Sequence, residues 1–149
     1  MTTLQDILLH PDRRPAVVND CQQLIEDEVA SKSGAAGMVV KSSYKIVKAV
    51  RPDMIQHACN SLLDDFVPRL EPFYADYRAN AAGKSLADYF AGRADEIADA
   101  LLAVTDERAA RTDKATLKKA YEKLRPQAKQ HVIEALPNLS RLIDKYANA

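Results

Sequence analysis

The stretch Ser33 to Pro52, S-G-A-A-G-M-V-V-K-S-S-Y-K-I-V-K-A-V-R-P, decides how the chain is read. Laid out at 100° per residue, Ala36, Val39, Val40, Ser43, Ile46, Val47 and Val50 share a broad apolar or small arc. Ala35, Met38, Ser42 and Ala49 make the adjoining side small or apolar too, leaving a narrow polar stripe of Lys41, Lys45 and Lys48. A helix that is apolar or small on most of its circumference is normally surrounded by other helices. The expectation is therefore a central helix over about residues 35–50, with its Ser43 side in close contact with a neighbour.

Working outward, every apolar segment keeps helical period. Thr3-Leu4-Gln5-Asp6 suits a capped first turn of a short helix ending before Pro11. Pro15 falls near the first turn of a second helix, where its missing N–H costs nothing. That helix carries Val17, Val18, Cys21, Leu24, Ile25 and Val29 on one face, and Ser31-Lys32-Ser33-Gly34 breaks it. Beyond Arg51-Pro52-Asp53 a helix runs from Met54 to Val67, and Pro68 and Pro72 predict a kink or restart. Asn80 to Lys84 reads as a loop, and Ser85-Leu86-Ala87-Asp88 opens a helix to about Val104. Residues 105–113 read as a turn with some helix. From Thr116 a long helix follows; Pro126 should kink it, Leu136-Pro137-Asn138 should end it, and a last helix closes the chain. No stretch alternates with period two and no hairpin signal occurs. The fold class is all-α: a single helical domain over residues 1–149, a bundle of six to eight helices around the central one.

The bulk composition bounds the rest. At 47% hydrophobic and 28% charged, 149 residues make an ordinary globular chain that buries roughly two-thirds of its unfolded surface. No apolar run approaches the roughly 20 residues of a membrane span, and the N-terminus lacks a signal-peptide pattern. Cys21 and Cys59 both fall on apolar helix faces and read as buried free thiols in a reducing compartment. The expected location is the cytoplasm, with no membrane partner.

Net charge is zero but laid out in blocks. Residues 1–28 carry six acids and two bases, 29–51 five bases and no acid, 52–107 eleven acids and four bases, and 108–149 ten bases and four acids. Neighbouring helices of opposite sign pairing with one another is the first explanation; a basic surface for an anionic partner is the second.

Candidate chemistry is sparse. Gly34-Ala35-Ala36-Gly37 has the spacing of a nucleic-acid-clamping G-x-x-G loop, but that loop belongs to a fold with strands. It also fails as a phosphate loop, since Val40 precedes Lys41 where glycine is needed. His57, Ser61 and Asp64 are the residue types of nucleophilic catalysis, yet they line one exposed helix face without convergence or oxyanion donors. His10, His57 and His131 are scattered, which gives no metal-ligand spacing, and no cofactor is expected. Lysines and arginines crowd residues 114–129, but a pI near 6.8 argues against nucleic acid.

Two charges break the apolar pattern. Arg93 falls within the arc of Leu86, Tyr89, Phe90, Ile97 and Leu101, and Glu28 within that of Cys21 and Leu24. A core-facing charge needs a partner. Three explanations stand side by side: a partly buried Arg93 paired with an internal carboxylate, Glu28 being the first candidate, a site in which Arg93, Tyr89 and Glu28 meet an anionic ligand, or a kink after Gly92 that lets Arg93 reach water.

The segments T-T-L-Q-D-I-L-L with D-R-R-P-A-V-V, then V-V-K-S-S-Y-K-I-V-K-A-V, then A-L-L-A-V-T-D with K-A-Y-E-K-L, resemble a family of small all-helical bacterial proteins of unknown function. The resemblance covers most of the chain. It implies a bacterial cytoplasmic protein and brings no activity, cofactor or catalytic residue. The first functional expectation is a non-enzymatic helical protein that acts through contacts with a protein partner or a second copy. The alternative is a helical pocket for a small apolar or anionic ligand, for which Phe66, Phe73, Tyr74 and Tyr77 are candidate lining.

Overall fold

In the computed structural model, which describes residues 3–81 and 83–148, seven α-helices and no strand are present among those residues. They are α1 (Leu4–Leu8), α2 (Arg14–Ser31), α3 (Gly34–Val50), α4 (Met54–Asn80), α5 (Leu86–Gly92), α6 (Ala94–Arg111) and α7 (Ala115–Ala147). The all-α bundle expected from helical period is the fold observed. Of the expected loop at 80–84, Ala82 lies outside the described residues.

Local chemistry accounts for most boundaries. Thr3 accepts from the Asp6 N–H while the Asp6 carboxylate accepts from the Thr3 N–H, a reciprocal cap that lets a five-residue helix start. Both oxygens of Glu71 in α4 accept the Leu4 N–H at 3.0 Å, so α1 is pinned from outside while Leu4, Ile7 and Leu8 are buried. Ser85 accepts from the Asp88 N–H and opens α5. Gly34, with φ 71°, takes the left-handed turn between α2 and α3, a conformation that costs glycine least.

The two long helices frame the molecule. α7 packs on α1, α2, α3, α5 and α6, and α4 on α1, α2, α3 and α6, so the shorter helices bridge α4 and α7. The hydrophobic core gathers around Leu4, Ile7, Val17, Val67, Phe90, Ile97 and Ile143, each no more than 2% exposed.

Four expectations are corrected. α3 is not the central helix: it contributes nothing to the core cluster, and only Gly37 and Ser43 along it are buried. Its Ser43 side does face inward, with Ser43 1% exposed, but Met38 on the other side is 71% exposed. No new helix starts at Pro68 or Pro72 within α4, and Pro137 does not end α7; these rings lie on exposed positions while buried residues on the opposite face carry each helix through. α6 runs past Val104 to Arg111, because Arg108 reaches across to Asp65 and Ser61 of α4 and holds the last turn. The helix expected over 85–104 is instead two, parted at Gly92 and Arg93.

Candidate interaction site

Arg93 stands at that break, its N–H donating to Phe90 O and its carbonyl accepting from Ile97. Its guanidinium lies 3.4 Å from Asp76 and 3.1 Å from Glu96, and 5.6 Å from the centre of the Tyr89 ring. The Tyr89 hydroxyl also donates to Asp76. That hydroxyl and the Asn80 amide, with the Arg93 charge behind them, hold the Asp76 carboxyl below its usual range. Burial, then the hydrogen bond to Asp76, pushes the Tyr89 phenol up to about 12. Arg93 and Tyr89 therefore meet, around a carboxylate that occupies both of them.

Arg93 thus has the expected internal carboxylate partner, but it is Asp76; Glu28, the first candidate, is not brought to them. Its carboxylate is held at the far end of α2 by Lys32 at 3.2 Å and by the Asn138 amide at 2.6 Å. Lys32, 8% exposed, also reaches Glu134 at 2.7 Å. Burial pulls the Lys32 ammonium down, but the bonds to Glu134 and Glu28 outweigh it and leave the group raised. The cluster ties the α2–α3 turn to α7. No sequence signal names Asp76 as the partner of Arg93; the pairing comes from α4 passing the break between α5 and α6, which no local pattern encodes.

The catalytic residue types stay apart. His57 is exposed, Asp64 takes a bidentate pair from Arg14 of α2, and the Ser61 hydroxyl accepts from Arg108 of α6. A broad, solvent-open depression of about 690 Å³ passes His57, Asp53 and Arg14, but Arg14 is already engaged by Asp64 and Asn60.

Several of the blocks of charge pair across helices. Arg125 and Lys129 of α7 meet Asp106 and Asp99 of α6, Arg108 of α6 meets Asp65 of α4, and Lys145 of α7 meets Asp20 of α2. Within the basic block of residues 29–51, only Lys32 and Arg51 find carboxylates. Lys41, Lys45 and Lys48 form no ion pair among the described residues, and neither does Lys123 of α7. Lys123 lines an apolar groove of about 200 Å³ between α3 and α7, together with Met38, Val39, Ser42, Ser43 and Ile46, and the exposed Lys41 and Lys45 follow Met38 at i+3 and i+7 along α3, whereas Lys48 lies over the Tyr44 ring. Toward the core, the Tyr44 hydroxyl donates to Glu26 of α2 at 3.1 Å and fixes the rotation of α3, so Met38 and the lysine stripe face solvent. The residues of this groove stand in the stretch the sequence marks as apolar. The signal that separates surface from core there is the absence of any acid over 29–51, which leaves three lysines with nothing local to pair with.

Residues 4–147 match a family model described as a family of unknown function, DUF6918. The chain belongs to this family. No curated protein and no solved structure matches it. The match spans all seven helices, so the α3 groove and the ion-paired α4, α6 and α7 lie together inside the family's extent. No helix of the described residues is long and apolar enough to cross a membrane.

Proposed function

We propose that the protein is a non-enzymatic docking module whose α3–α7 groove seats an acidic amphipathic helix of a protein partner. One observation carries the reading: α3 has no acidic residue and supplies nothing to the core, yet its groove side leaves Met38 71% exposed beside half-buried Val39 and Ile46. An apolar strip that a folded chain leaves uncovered marks an interaction surface. The groove selects a helix, since Val39, Ser42, Ser43 and Ile46 stand at i, i+3, i+4 and i+7 along α3 and offer a continuous row against which the anchors of an incoming helix can seat. Lys123 in its wall, with Lys41 and Lys45 next to Met38 on α3, favours carboxylates on the rim of the incoming helix, and such rim charges chiefly speed association and discriminate among partners. The two free thiols, Cys21 and Cys59, support placing the protein in a reducing compartment such as the cytoplasm.

The test uses two synthetic helical peptides with the same leucine row, one flanked by glutamates and one by lysines. Fluorescence anisotropy should show the acidic peptide binding, weakening as salt rises, and the basic one failing. Met38→Asp, at an exposed position, should weaken the acidic peptide at least tenfold without moving the thermal midpoint. Equal binding of both peptides, or full affinity in Met38→Asp, overturns the proposal. So does self-association through this face in analytical ultracentrifugation, tight binding to mixed-sequence nucleic acid at physiological salt, or preference for anionic vesicles over the peptide.

A further inference from the structure

The bridging arrangement leaves α4 and α7 facing each other across a gap inside the bundle. That gap is a cavity of about 260 Å³, walled by α4 and α7 and closed at its sides by α2 and α6. Its floor is fully apolar and buried, with Leu63 and Val67 from α4, Leu101 from α6 and Leu136 from α7. The cavity is not sealed, and Leu24 of α2 and Phe66 of α4 are among its half-buried lining residues. Small side chains create the space: Cys21, Cys59 and Ala135 stand where leucines would fill it.

The chemistry of the wall is uniform. Its one hydroxyl, on Thr105, is already occupied by Leu102 O at 3.1 Å and by the Tyr121 hydroxyl at 2.8 Å. The two thiols are neutral, because burial pushes Cys21 up to about 12 and Cys59 up to about 11. With the Thr105 hydroxyl engaged and only two weakly polar thiols besides, the wall lacks the two to four polar partners that an ordered water needs. Protein interiors are close-packed, and voids well above the size of a water molecule are few. An engineered apolar cavity of about 150 Å³ stays dry and takes up benzene. The space here is larger and lined the same way.

We propose that this cavity is a binding site for hydrocarbon: an alkyl chain or apolar ring of roughly ten non-hydrogen atoms, its polar end left toward solvent at the mouth, on the half-buried side of the wall. The wall rejects a charged group at depth, since nothing there would pair with it. The hydrocarbon can be a free small molecule or the end of a longer acyl chain, and the mouth admits either.

The test takes 1-decanol and benzene as probes on the full chain, by isothermal titration calorimetry and by methyl NMR. Both should bind, with shifts centred on the methyls of Leu63, Leu101 and Leu136. Palmitate binding with the same shifts identifies the site as one for acyl chains; decanol and benzene without palmitate identifies it as one for small hydrocarbons. Ala135→Leu, or Cys59→Leu if the first does not fold, should weaken decanol at least tenfold while keeping or raising the thermal midpoint. Met38→Asp should bind decanol as the wild type does, which separates this site from the groove on α3. The proposal is overturned if the wild type binds no probe up to its solubility limit. Shifts confined to the α3 methyls of Val39, Val40 and Ile46, or unchanged affinity in a folded Ala135→Leu protein, overturn it equally.

Discussion

Among the described residues, the two ring nitrogens of His131 are the buried side-chain nitrogens and oxygens that find no hydrogen-bond partner. The charges facing the ring are Lys32, Glu134 and Glu28. Burial, with Lys32 acting in the same direction, holds the imidazole below its usual 6.5. The native state therefore prefers the neutral ring. Below pH 6.5 the unfolded chain takes up the proton more readily than the folded one, so this contribution is complete above 6.5 and lost as pH falls through the lower folded value. The expected outcome is that His131→Leu gains on the wild type as pH drops from about 7 to about 5. At neutral pH the variant should be at least as stable, because replacing an unpartnered buried polar group with an apolar one relieves its desolvation. Thermal unfolding across that range checks it, and parallel curves for the two proteins refute the assignment. A second residue-scale expectation concerns Gly37, which is buried where α3 passes the end of α2. A Cβ placed there would lie 2.7 Å from the Lys32 carbonyl carbon, a backbone atom that cannot swing aside. Gly37→Ala should thus cost about 1–3 kcal/mol, read as a lower denaturation midpoint at unchanged m-value. In the sequence Gly37 reads as part of a helix-starting break with Gly34. Its real constraint, the close pass of another backbone, is a tertiary fact that local spacing cannot carry.

At the scale of single helices, local chemistry is legible and its consequences for continuity are not. The reciprocal cap at Thr3 and Asp6, the serine at Ser85 and the glycine at Gly34 can be read directly, because each acts on its own neighbours. The prolines mislead. A proline inside a helix removes one hydrogen bond and disturbs the preceding turn, a cost of about 3 kcal/mol in isolation. In α4 the opposite face buries Leu63, Val67, Leu70 and Tyr74, which together outweigh that cost and carry the helix through Pro68 and Pro72. Composition likewise shows that α3 is apolar, but not that the apolar surface is only half covered. Its inner side is set by Ser43, 1% exposed and packed toward α7 along the groove that Lys123 closes. Ser43→Leu should overpack this contact and cost about 1–3 kcal/mol. The same substitution should also weaken the acidic peptide, since Ser43 forms the floor of its groove. An unchanged thermal midpoint would mean that α3 does not seat on α7 through this residue.

Across the whole molecule, stability is spread unevenly, and the layout of charge shows where it thins. α4, α6 and α7 are joined by buried apolar contacts and by arginine–carboxylate pairs, Arg108 with Asp65 and Arg125 with Asp106. α3 is joined by two buried small residues, the half-covered side chains beside them and the Tyr44–Glu26 hydrogen bond. It contributes no residue to the core cluster, whereas α4 contributes five buried ones. Opening free energies follow buried apolar contact, so α3 should open as a unit while α4 and α7 stay folded. Because α3 lies between the turns at Lys32 to Ser33 and Arg51 to Pro52, it can lift away without unthreading its neighbours. Native-state hydrogen exchange should then find the amides of Val40 to Val47 exchanging roughly a hundredfold faster, about 2.8 kcal/mol, than those of Leu63 to Leu70. The acidic helical peptide of the docking test should slow the α3 amides and leave the α4 amides unchanged, because it binds only the closed form. If α3 instead exchanges in step with α4 by global unfolding, the helix is as firmly held as the core, and its exposed apolar side is not the mark of a surface awaiting a partner.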